Sequence, residues 1–185
     1  MNRRLTAVLT GGVLVLLAGC SSGDPTPAAR ATTTASPSAS ASPSEPTFNP
    51  CDGIDAAAVS RVLGAPLRKE TGTADTPRCA LVPVKKGDPT FELSYLWFDQ
   101  GLEAAWSTMK PAGTVSRPAV PGADDARLVV NASGSAYAVS AFLQNHALIQ
   151  TVNALALRPY DGPRVLRATK VLLGQLSASG AHVSR

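Results

Sequence analysis

Few side chains in this sequence could carry covalent or acid–base chemistry, and they are scattered along it. The nucleophiles are Cys20, Cys51 and Cys79, with Ser133 and Ser135 flanking Gly134; the bases are His146 and His182. A serine hydrolase needs its hydroxyl within reach of a base. No Gly-x-Ser-x-Gly elbow presents one, so Ser133 and Ser135 read as turn residues, His146 as a loop histidine and His182 as part of the tail. Asp124 and Asp125 are adjacent carboxylates that could converge on a cation. A Ca²⁺ site, however, takes about six or more oxygen ligands, and the surrounding loop offers no such pattern, so the pair reads as a solvated turn. Neither a metal-ligand set nor a cofactor motif emerges. Asn131-Ala132-Ser133 matches the N-glycosylation pattern and is treated as chance.

The cysteines are more informative. Cys20 ends Leu17-Ala18-Gly19-Cys20, which closes an uncharged apolar run from Leu5 that follows the positive Asn2-Arg3-Arg4. This is the layout of a secretory signal. About 15 apolar residues are too few to span a bilayer of roughly 30 Å as a helix, which disfavours a permanent transmembrane anchor. The ending, with Ser21-Ser22-Gly23 after it, resembles the bacterial lipobox, whose cysteine is lipidated on sulfur and becomes the first mature residue. Two acyl chains, at about 0.8 kcal/mol per buried CH₂, give a stable anchor where one would be marginal. The expectation is therefore a signal peptide over 1–19 and a protein held on the extracytoplasmic face of the cell membrane through a diacylglyceryl group on Cys20.

With Cys20 set aside, Cys51 and Cys79 form an even pair outside the cytoplasm, and such a pair is most simply a structural disulfide. A metal or redox role fits less well: there is no Cys-x-x-Cys, and no histidine lies near either residue.

The elements that hold these residues follow from composition and periodicity. Residues 20–48 are a Ser/Thr/Pro/Ala-rich stretch with almost no large apolar side chain, which reads as an unfolded spacer. The globular part is 49–185. It carries 14 Lys/Arg against 11 Asp/Glu, a net charge of +3 with the signs interspersed. Without a basic stripe interleaved with aromatics, nucleic acid is not an expected partner.

Asp55 caps a short helix over 56–63 that stops at Gly64. Strands follow at 79–84 and 91–98, the second with Phe91, Leu93, Tyr95 and Trp97 on one face. Asp99 is positioned to cap a helix bearing Leu102, Ala105, Trp106 and Met109. Three strands come next, over 127–131, 137–143 and 147–157, joined by hairpin-length turns. Asp161 with Pro163 then opens a final helix whose apolar stripe is Val165, Leu166, Thr169, Leu172, Leu173 and Leu176, and the tail frays from Ser177. The order α-β-β-α-β-β-β-α argues for an α+β fold, a mainly antiparallel sheet flanked by helices as an α/β/α sandwich. Tyr95, Trp97 and Trp106 could line an apolar ligand pocket or could simply be core.

Asn49-Pro50-Cys51-Asp52-Gly53-Ile54-Asp55, the helix end Leu63-Gly64, Cys79, and Val120-Pro121-Gly122-Ala123-Asp124-Asp125-Ala126 together resemble a family of small actinobacterial lipoproteins. That family is built on an uncharacterised domain with an Asn-Pro-Cys-Asp opening. By analogy with related envelope proteins, the resemblance implies a PsbP-like α/β/α sandwich, and it implies no reaction. The functional expectation is a non-enzymatic binding or accessory module of the cell envelope, acting on an envelope protein that the sequence does not name. The alternative is a carrier for a hydrophobic ligand, with an envelope hydrolase behind it.

Overall fold

Strand alternation in Phe91-Glu92-Leu93-Ser94 sets the sheet. Phe91 and Leu93 are buried, whereas Glu92 and Ser94 are exposed. The computed structural model describes residues 48–73, 76–109 and 111–183. The expectations for the signal peptide, for Cys20 and for most of the spacer lie outside the described residues. The chain divides into Met1–Ser40 and Ala41–Arg185, and the description that follows concerns the second unit.

The elements are α1 (Ala56–Leu63), β1 (Leu67–Thr73), β2 (Thr76–Pro83), β3 (Thr90–Trp97), α2 (Gly101–Thr108), β4 (Thr114–Ser116), β5 (Asp125–Ala132), β6 (Ala136–Asn145), β7 (Leu148–Leu157) and α3 (Gly162–Gly180). The seven strands form one open antiparallel sheet in the order β1-β2-β3-β7-β6-β5-β4. The α+β class and the antiparallel sheet flanked by helices are as expected from the sequence. Two edge strands are additions. β1, Leu-Arg-Lys-Glu-Thr-Gly-Thr, carries charge on both faces because one edge is open to water, so it lacks the alternation that marks a strand. β4 has only three residues, all exposed.

The sheet has two unlike faces. On one, Phe91 and Leu93 of β3, Val139, Ala141 and Leu143 of β6, and Val152 and Ala154 of β7 pack beneath α3 and α1. Each fully buried Leu, Val or Phe of this kind contributes about 1.5–3 kcal/mol. α3 presents Val165, Ala168, Leu172, Leu173 and Leu176 to the sheet, with Leu166 only half-buried. The intervening residues of β6 and β7 face the other way, and there α2 covers only one end. Trp106 meets Phe142 edge-on at 5.6 Å between ring centroids, and the Leu102 N–H donates to Gln144 Oε1 at 2.6 Å. Beyond α2, Leu96, Leu155 and Leu157 on this face are about half exposed.

Caps set the helix limits. The Asp55 carboxylate accepts from the N–H groups of Ala57 and Ala58, and Gly64 closes α1 at φ +77°. Asp161 accepts from the Arg164 N–H at 3.0 Å. Asp99 does not cap α2. Gln100 occupies that position in a helical conformation with no side-chain cap bond, and Gln144 takes over the first free N–H. The C-terminal helix also outlasts its expected fraying at Ser177. The buried Ser177 hydroxyl donates to Pro121 O at 2.8 Å, and Gly180 lets the last turn approach β6 and β7, where a Cβ would lie 2.5 Å from Asn145 Oδ1. Among the described residues no helix is long and apolar enough to cross a membrane.

Candidate functional site

Cys51 and Cys79 are joined in a disulfide, with Cα atoms 5.1 Å apart and both side chains buried. Cys51 precedes α1 and Cys79 lies in β2, so the bridge ties the first helix to the sheet. Lys69 of β1 adds polar support by donating from Nζ to the carbonyls of Cys51 and Ile54.

The three aromatics do not share a lining. Tyr95 is half-buried on the α3 face, edge-on to Phe48 at 4.9 Å, and Trp97 is half-buried on that same face. Trp106 lies against Phe142 on the opposite face, with the sheet between. The alternation along β3 correctly groups Tyr95 with Trp97. Helix periodicity alone carries no information on which face of the sheet receives α2.

Ser133, Ser135 and His146 are also kept apart. The two serines sit in the β5–β6 turn, and His146 in the β6–β7 turn at the other end of the ten-residue β6. At about 3.3 Å per residue, that strand separates them by roughly 30 Å. Ser133 Oγ instead accepts from the Ala136 N–H within its own hairpin. His146 adopts φ +54°, and its N–H donates to Asp124 Oδ2 at 2.6 Å. Asp124 thus braces a turn, and its neighbour has another task.

That task is to hold Arg127, a cluster that the sequence reading missed. Arg127 lies within β5 at 2% exposure. Its guanidinium donates to Asp125 Oδ2 at 2.9 Å and to Glu103 Oε2, and it stands 5.0 Å from the centre of the Trp106 ring. Burial works against its charge, but the hydrogen bonds to Asp125 and Glu103 outweigh that effect and push its pKa above the ordinary arginine value. Arg117 joins Glu103 at 3.2 Å from the loop beyond β4. The cluster fixes α2 to the sheet, and its charges balance. A signal was available: Asp125 and Arg127 are two apart in a strand and share a face, and an arginine inside Ala126-Arg127-Leu128-Val129 must be paired if it is buried.

Three of the clefts among the described residues bear on these elements. The loop at 117–124 borders one of about 420 Å³, with Val120, Ala123 and Ala126 among its walls and Arg117, Asp124 and Asp125 as its charged members. The other side of that loop faces Lys170, Leu173 and Gly174 of α3 across about 250 Å³. The third, of about 180 Å³, lies where the β2–β3 hairpin, the end of α1 and the start of α3 meet. Its polar side chains are Asp88, Tyr160, Asp161 and Arg164. Arg164 is paired with Asp161 at 3.1 Å. Nearby, Tyr137 leans on Tyr160 at 5.6 Å, and burial, with the Tyr160 phenol beside it, raises its pKa above the usual phenol value. None of the three clefts is lined by Tyr95, Trp97 or Trp106.

Charge is distributed unevenly along the strand direction. The end that holds the third cleft carries Arg61 in the last turn of α1, Lys85 and Lys86 in the hairpin, Arg158 after β7 and Arg167 in α3. The other end carries Asp52, Asp55, Glu103, Asp124 and Asp125, with Arg117 and Arg127 among them.

Residues 15–142 match the model of a family described as "Protein of unknown function (DUF3558)". The matched span contains all three cysteines and ends within β6. No curated protein and no solved structure matches the chain.

Proposed function

Because the chain belongs to the DUF3558 family, a membership that supplies no activity, we propose a function from its own chemistry: a lipid-anchored cell-envelope lipoprotein whose folded part acts as a non-enzymatic binding or accessory module. The observation that carries this reading is Cys20, at the end of an apolar run and ahead of a Ser/Thr/Pro-rich spacer. The Cys51–Cys79 bridge supports it, since structural disulfides persist in oxidising compartments outside the cytoplasm. Separation of the serines from His146 supports the non-enzymatic part. Because the sheet stands between Trp106 and Tyr95, the two rings do not share one lining, which favours the binding-module reading over a carrier built on them. A finer kinship with PsbP-like sandwiches belongs to the resemblance alone.

The anchor is tested by fractionation of cells producing the wild-type chain or Cys20→Ala. Wild type is expected to stay with salt-washed membranes and to be released by detergent, whereas the variant is expected to be depleted from them when the wash is made at high ionic strength. Equal membrane retention of the two would remove the anchor.

A further inference from the structure

The β2–β3 hairpin pairs an exposed apolar residue with two cations. Val84 is 67% exposed, the highest value among the large apolar side chains of the described residues, and Lys85 and Lys86 follow it directly, both exposed. The Val84 N–H donates to Pro66 O at 3.0 Å, so the hairpin is held against the chain leaving α1. Leu157, 56% exposed, and Arg158 reach the same end of the sheet through β7. Asp161 is occupied by Arg164, whereas no ion pair engages Lys85, Lys86, Arg158, Arg61 or Arg167 among the described residues. The acidic groups that face this end are Asp88, half-buried in the third cleft, and Asp161.

We propose that this basic end is a docking surface for an anionic lipid bilayer, in which Val84 enters the headgroup layer while Lys85, Lys86 and Arg158 lie at the level of the lipid phosphates. A soluble polyanion would use the cations but would gain nothing from two exposed apolar side chains beside them. A bilayer uses both, because apolar side chains leave water at the acyl boundary and lysine stems can follow them while the ammonium groups stay wet. Opposite charge at the two ends of the domain would also turn it in the field of an anionic surface, basic end inward. This proposal rests on the membrane-anchored reading above. Phe48 enters the fold beside Tyr95, toward the acidic end. The 27 residues from Ser21 to Thr47 can span at most about 95 Å, against roughly 33 Å for a ten-residue strand, so the tether permits the approach.

The test uses full-length protein carrying Cys20→Ala, so that no acyl chain contributes, in flotation with vesicles of phosphatidylcholine with or without phosphatidylglycerol. The apolar leader is common to every protein compared and cancels from the differences. Lys85→Glu with Lys86→Glu is expected to weaken binding to phosphatidylglycerol vesicles by about 30-fold or more. Val84→Ser, which leaves the charges in place, should weaken it on the order of fivefold. Both changes sit at an exposed hairpin tip, and an unchanged circular dichroism melt confirms the fold. Binding equal to that of the Cys20→Ala parent in the lysine double variant would overturn the proposal. So would a double variant that loses binding to soluble polyphosphate while its vesicle binding is unchanged, which would assign the patch to a polymer. Failure of the anchor would appear instead in the fractionation of wild type, a readout this assay does not share.

Discussion

Replacing Cys51 and Cys79 together by alanine is expected to lower the unfolding free energy by roughly 3.5 kcal/mol. The bridge spans 28 positions, and closing a loop of that length removes about this much chain entropy from the unfolded state. Both sulfurs lie inside the core, at 2% and 0% exposure, so the variant also loses packing around Ile54 and Leu81. A domain of this size has about 5–15 kcal/mol in total, and the loss would move the urea midpoint by a large fraction of its wild-type value. Reductant should shift wild type toward the variant and leave the variant unchanged. A midpoint difference worth less than about 1 kcal/mol would mean that the bridge adds little beyond the packing of its neighbours.

The second large effect concerns Arg127 and has a direction that counting bonds would miss. Glu103→Gln with Asp125→Asn leaves the guanidinium buried with no opposite charge, whereas Arg127→Met removes the charge and keeps an apolar stem beneath Trp106. Removing the partners of a buried ion strands a desolvated charge, while removing the ion itself leaves carboxylates that can turn to water. Glu103 is largely exposed and Asp125 partly so, which makes the second route easy. The double carboxylate variant should therefore lose about 3 kcal/mol, and Arg127→Met about half of that. Denaturant curves followed by tryptophan fluorescence measure both. If Arg127→Met proved the more damaging change, Arg127 would be acting chiefly as packing volume.

Residues whose environment is one-sided are the ones legible in the sequence. Phe91, Leu93, Tyr95 and Trp97 alternate because one face of β3 is covered, and Asp161-Gly162-Pro163 opens α3 with local chemistry that does not depend on distant partners. The Cys51–Cys79 pairing is legible as the even pair that remains once Cys20 is read as a separate, lipidated residue. β1 escapes because an edge strand with Arg68, Lys69 and Glu70 has no periodicity to detect. The side on which α2 docks escapes because it is decided by Arg127, Glu103 and Gln144, whose contacts join positions 24 to 42 residues apart. The basic end escapes for a similar reason. Arg61, Lys85, Arg158 and Arg167 are interspersed with acidic residues along the chain, and only the strand directions gather them.

The strand order has a kinetic consequence. β1, β2 and β3 pair with near neighbours, as do β4 to β7, so each half of the sheet can assemble from local contacts. The seam between the halves is β3 on β7, where Trp97 meets Leu148 and Thr90 meets Leu155. Long-range closure of this kind is slow compared with hairpin formation. Until the seam closes, β3 and β7 each expose an unpaired backbone edge, the feature through which chains associate wrongly. Cys51 and Cys79 both lie in the first half, so they can be oxidised while β7 is still unpaired. The bridge, once formed, then holds α1 against β2 while the remaining strands complete the sheet.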